Sequence, residues 1–163
     1  MENTVNLIKK FFDKGGWKYN YKEVSDGRAI FTAGVNMNNA LGNLRICIIV
    51  RQDYYTVYAI FNNHAEKKYY SQVAEYLHRA NYGMKNGNFE FDFEDGEVRF
   101  KTYVNFEGIQ LSDDIIEESI LVPVFMFDTY GKNLLRIMLG DDNPKKLIEE
   151  AEKEPEGPDE GQP

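Results

Sequence analysis

The segment from Arg79 to Gly108, RANYGMKNGNFEFDFEDGEVRFKTYVNFEG, admits few folds. Phe89, Phe91 and Phe93 alternate with charged residues, and Val98 and Phe100 do so again beyond Asp95-Gly96. That dipeptide favours a two-residue hairpin turn. A turn there sets Glu94 against Glu97, Phe93 against Val98 and Phe91 against Phe100, while the other face pairs Asp92 with Arg99 and Glu90 with Lys101. One register thus provides an apolar face and a charge-paired face together, which guards a hairpin against slipping by one residue. Upstream, Tyr70, Val73, Leu77 and Ala80 recur at helical spacing within 66–82, and Gly83 is placed to be a left-handed C-cap.

The remaining pattern predicts an α+β domain with an antiparallel sheet. Val5, Ile8, Phe11 and Phe12 mark an amphipathic helix, N-capped by Asn3 or Thr4 and ended by Gly15-Gly16. Residues 17–24 and 28–37 read as extended runs about Ser25-Asp26-Gly27, followed by the alternating run Leu44 to Val50 and by Tyr55 to Asn62. This is a meander of three or four strands. After the middle helix and the hairpin, Ser112 caps a third helix that carries Asp113 and Asp114 in its first turn and reaches about Leu139. Pro123 lacks a donor and clashes with the carbonyl of Ser119, so a kink or break is expected there. Asn143 before Pro144 opens a short last helix to Ala151. The order is helix, meander, helix, hairpin, long helix, short helix, in one domain spanning 1–151.

A chain of 163 residues can bury one core without metal or disulfide support. Of its net charge of −8, −6 lies between Glu149 and Pro163. The body carries only −2 and offers no strong field to phosphate or anionic lipid. Residues 152–163, ending EPEGPDEGQP, contain no large apolar side chain and are expected to be a disordered acidic tail. Cys47 is the single cysteine, so no intrachain disulfide or multi-cysteine metal site is available, which fits a reducing compartment. The first residues lack the apolar region and cleavage site of a secretory signal, and the apolar run Ile120 to Phe127 is too short to span a bilayer. The expectation is a cytoplasmic protein without a membrane partner.

No nucleophile elbow, HExxH, phosphate loop, CxxC pair or dinucleotide fingerprint occurs. His64 and His78 match no short metal motif, and Cys47 within LRICIIV reads as a small buried strand residue. Asp92, Glu94, Asp95, Glu97 and Glu107 cluster near the hairpin but read as turn and cross-strand partners, so no catalytic, cofactor or metal residue is assigned. The acids at 90, 92, 94 and 97 would repel a nucleic acid. The third helix is apolar on more than one side, and a helix apolar all round must be covered all round. Ile120, Val122, Val124, Phe125 and Phe127 are therefore candidates for a dimer or partner surface, with packing inside one subunit as the other explanation.

Asn81, Tyr82, Gly87, Asn88 and Phe89 form an N-Y-x(4)-G-N-F pattern, followed by an extended apolar run, a glycine, a capped helix and TYGKNLLRIMLG. In this the chain resembles the YbjN-domain family, bacterial proteins described as sensory transduction regulators with a fold like that of type III secretion chaperones. The likeness follows element order from Val5 to Ala151 and is specific from His78 to Gly108. It implies a chaperone-like fold, usually with three strands before the middle helix, and carries over no catalytic residue. Elementary chemistry accounts for the pattern as architecture. Gly83 and Gly87 permit a sharp exit from the helix, Asn81 and Asn88 can bond the connecting backbone, Phe89 begins the apolar face and Asp95-Gly96 makes the turn. The functional expectation is a non-enzymatic protein- or peptide-binding regulator acting as a homodimer. A small-molecule sensor with an apolar pocket between sheet and third helix, and a carboxylate-based enzyme, are the alternatives.

Overall fold

A computed structural model describes residues 1–37, 40–141 and 143–153, so the expected tail falls almost wholly outside the described residues. The chain forms α1 (Glu2–Lys14), a four-strand meander β1 (Tyr19–Val24), β2 (Arg28–Asn36), β3 (Asn43–Val50) and β4 (Tyr54–Phe61), and α2 (Tyr70–Asn81) behind one 3-10 turn. The hairpin β5 (Asn88–Phe91) and β6 (Val98–Asn105) follows, then α3 (Asp113–Met138) and α4 (Pro144–Ala151). The fold is α+β, with four strands before the middle helix. All six strands form one antiparallel sheet in the order β1-β2-β3-β4-β6-β5.

Alternation along β3 shows why the helices lie where they do. Leu44, Ile46, Ile48 and Val50 are buried, whereas Asn43 and Arg45 are exposed and Cys47 and Ile49 half-buried on the other face. Sheet side chains of the buried set need a cover. α1 supplies Phe12, stacked on Tyr19 and tilted against Phe31. α3 supplies Ile116, Ile120 and Phe127, the last in ring contact with Phe61 and Phe89. Arg136 ties α4 to α3 by donating to Glu150 at 2.5 Å and to Asp141 at 2.9 Å. Among the described residues no helix is long and apolar enough to cross a membrane.

Several expectations are corrected. α1 begins at Glu2 with Met1 at its N-cap, and Thr4 is buried inside the helix. The hairpin pairs Phe91 with Val98, Phe89 with Phe100 and Glu90 with Arg99, two residues away from the register a tight Asp95-Gly96 turn imposes. Asp92 N–H donates to the Glu97 carbonyl and Gly96 N–H to the Asp92 carbonyl, so the loop is the wider Phe93–Gly96. Carboxylates of Asp92 and Asp95 accept from the N–H groups of Glu94 and Glu97 and hold that loop. Phe93 consequently leaves the strand and is exposed. Because strand periodicity is two, this shift keeps the side chains that remain paired on their predicted faces.

Pro123 does not break α3, which runs through it. The missing donor is replaced from the sheet. Thr102 on β6 donates its hydroxyl to the Ser119 carbonyl at 2.8 Å. Ser119 Oγ donates to the Ile116 carbonyl, leaving the Tyr55 hydroxyl to donate to Ser119 Oγ at 2.8 Å. Ile120 and Phe127, candidates for a partner surface, are fully buried in this layer and unavailable to a partner.

Candidate protein-binding groove

Asn81, the last residue of α2, fixes how the chain leaves that helix. Its side-chain oxygen accepts from Phe89 N–H at 2.7 Å and its amide donates to the Phe89 carbonyl at 2.9 Å. A single side chain thereby makes the two bonds a neighbouring strand would make. Gly83 is not the helix C-cap. Tyr82 is extended (φ −68°, ψ 117°), Gly83 takes φ +88°, and Met84 N–H closes on the Asn81 carbonyl, which together describe a type II turn. This turn pushes the Tyr82 ring out until it is 92% exposed. Gly87 immediately precedes β5 beside β6, and a Cβ there would meet the Lys101 carbonyl at 2.5 Å.

Across from Tyr82 stands one row of α3. Val122, Met126 and Tyr130 are spaced by four and share a helix face. Tyr76 on α2 donates its hydroxyl to the Tyr130 carbonyl at 2.8 Å, pinning that row to α2. The Tyr130 hydroxyl donates to Glu152 at 3.1 Å. Burial and the Glu152 carboxylate push the Tyr130 phenol up to about 12, so it stays a donor at neutral pH. Between these walls lies a groove of about 450 Å³ lined by Tyr82, Gly83, Met84, Val122, Met126 and Tyr130, with Lys85, Asn86 and Glu152 at its rim. Tyr82 and Glu152 also border a neighbouring depression of about 560 Å³ with Glu75, His78, Arg79 and Ile148. Helical spacing puts exposed Phe125 one row outward from the groove and half-buried Val124 on the opposite flank of α3.

The structure thus brings Tyr82 and Gly83 of the sequence motif together with Val122 of the third helix. Other motif residues are architectural. Asn88 donates to the Phe89 carbonyl, Phe89 is in the core, and Asp95 caps the hairpin loop. Gly96 touches the 64–66 segment so closely that a Cβ would meet the Ala65 carbonyl at 2.4 Å. Met84, Tyr130 and Glu152 were not singled out by sequence reasoning, although the i, i+4, i+8 spacing of Val122, Met126 and Tyr130 carries the signal for the α3 wall of the groove.

Elsewhere the reactive side chains are dispersed. Cys47 is half-buried on the helix-free face, where burial pushes its thiol up despite Arg45 and Arg99. His64 Nδ1 lies 3.0 Å from the Asp95 carbonyl, and His78 is exposed and lines the neighbouring depression. Burial raises the Glu90 carboxyl, but hydrogen bonds from Lys101 and Arg99 outweigh it and hold the group below its ordinary value. Among the described residues no three His, Cys, Asp or Glu side chains converge to hold a metal ion. Comparison with protein-family models finds no match, and comparison with curated proteins finds none either.

Proposed function

We propose that this chain is a non-enzymatic protein-binding domain, of the YbjN-like kind its motif resembles, that holds a short apolar segment of a partner protein between Tyr82 and α3. The observation that carries this reading is a tyrosine 92% exposed on a turn whose backbone is fixed by Asn81, facing a half-exposed row of valine, methionine and tyrosine. A large ring held in water by a rigid turn is a poor choice for solubility and a good anchor for contact, since aromatic residues dominate interface energetics. Methionines at 84 and 126 supply adaptable apolar walls. The rim residues Lys85, Asn86 and Glu152, with Arg79 in the neighbouring depression, can meet the polar backbone of an extended or helical guest.

The small-molecule alternative asks for space between the sheet and α3, and there Tyr55, Phe61, Phe100, Ile116, Ile120 and Phe127 are all fully buried against one another. That packing favours the protein-binding reading.

Peptide display against the immobilised full chain tests the proposal. Enriched sequences should carry apolar or aromatic residues, and their affinity should fall at least about tenfold for Tyr82→Ala, a loss of roughly 1.4 kcal/mol. Tyr82 buries almost nothing, so this variant should melt like the parent. Peptides that bind Tyr82→Ala and Met126→Lys as tightly as the parent would remove the groove from consideration.

A further inference from the structure

The α3 wall of the groove is charged in one sense. From Asp113 to Gly131 the helix carries Asp113, Asp114, Glu117, Glu118 and Asp128 and no lysine or arginine. Asp113 is taken up by Lys10 of α1, and Glu117 borders α1 beside Lys10 and Lys14. Glu118 is placed differently. It is exposed, takes part in no ion pair among the described residues, and lies one turn before Val122, so it extends the row Val122, Met126, Tyr130. At the other end of the row the Glu152 carboxylate accepts from the Tyr130 hydroxyl. The apolar row therefore runs between two carboxylates. From Glu118 to Tyr130 it spans about 18 Å at a rise of about 1.5 Å per helical residue. Roughly five or six residues of extended chain cover that length. Lys85 is the one cation among the described residues lining the groove.

We propose that the guest of this groove is a basic-flanked apolar segment of another protein. Apolar or aromatic side chains lie against Val122 and Met126, and a lysine or arginine at each end meets Glu118 and Glu152. The inference rests on the reading that this groove is the binding site, and it names the partner's chemistry. Charges across an interface select a partner by sign more than they add affinity. The sign here disfavours the nearest occupants. A second copy brings a net charge of −8, and the chain's own residues 154–163 bring Glu154, Glu156, Asp159 and Glu160 with no cation and no large apolar side chain. A nucleic acid would set its phosphates against the same carboxylates. A basic segment meets none of these objections, and the net charge of the whole chain steers it inward.

Fluorescence anisotropy on the full chain tests it with three labelled peptides. They share the core leucine-serine-phenylalanine-serine-leucine and differ only in flanks of paired lysines, glutamines or glutamates. The lysine-flanked peptide should bind at least about tenfold tighter than the glutamate-flanked one, with the glutamine-flanked peptide between them, and should weaken as salt rises. Glu118→Lys should lower affinity for the lysine-flanked peptide about fivefold and raise it for the glutamate-flanked one. Glu94→Lys makes the same change of charge in the hairpin loop, at the far end of β5, and should move neither affinity by more than about twofold. Both acids are exposed, and thermal melts matching the parent's will show that the variants fold. Three equal affinities, all lowered by Tyr82→Ala, overturn this inference and leave the groove in place. Equal effects of Glu118→Lys and Glu94→Lys also overturn it, as does failure of the lysine-flanked peptide to bind. A preference for lysine flanks that Tyr82→Ala and Met126→Lys leave untouched overturns both readings, because the basic peptide then binds elsewhere.

Discussion

Thr102 and Pro123 are the residue pair through which the sheet holds the long helix. A proline inside a helix costs roughly 3 kcal/mol or more when its lost bond and its clash go uncompensated. Here the orphaned Ser119 carbonyl receives the Thr102 hydroxyl, and both residues are nearly inaccessible to water. Thr102→Val preserves shape but leaves that carbonyl unpaired, so urea denaturation should show a loss of about 1–3 kcal/mol. Pro123→Ala restores an N–H within the helix. In that background the same threonine substitution should cost less by about 1 kcal/mol, a coupling a double-mutant cycle measures directly. The sequence marks Pro123 plainly as a disturbance, yet its remedy lies on a strand 21 positions earlier, and no local pattern announces such a partner.

At the scale of elements, what could be read from the chain and what could not separate cleanly. Alternation placed every strand and put each paired hairpin side chain on its correct face, because a period of two survives a shift of two residues, whereas Phe93 fell in the loop. Phase was not legible. It depends on Asp92 and Asp95 bonding the loop backbone and on Ala65 N–H donating to the Gly96 carbonyl, a contact between segments remote in sequence. The third helix was read as apolar on several sides, and so it is, but its split into a buried row with Ile120 and Phe127 and a groove row with Val122 and Met126 is set by the sheet beneath it. Gly87 is one of the tight joints between elements. Its φ of +82° and the nearness of the Lys101 carbonyl both exclude a side chain. Gly87→Ala should destabilise by on the order of 2–4 kcal/mol, visible as a lowered melting temperature, while Gly83→Ala, strained in φ but open in space, should cost less.

For the whole molecule, buried phenols fix the alkaline limit of stability. Burial pushes Tyr55 up to about 12, and Tyr76 is raised further by burial and by its neighbours Tyr130 and Glu152. Both ionise later in the folded chain than in the unfolded chain, where tyrosine titrates near 10. Their contribution to stability is therefore complete below about pH 10 and is lost as pH rises from there through 12. Tyrosinate absorbance in an alkaline titration should rise in more than one step. A second set should appear only together with the loss of far-ultraviolet ellipticity, and Tyr55→Phe should diminish that second set.

The bond pair between Asn81 and Phe89 has a consequence beyond the turn it shapes. A sheet with two open edges is a polymerisable unit, since each addition exposes another edge, and growth has no natural end. Asn81 occupies one of those ends with a single side chain, bonding as a strand of one residue. With Phe89 so bonded, the β5 edge offers no free N–H or carbonyl at that residue to an incoming strand. One amide thus obstructs one of the two ends from which growth by edge pairing could start.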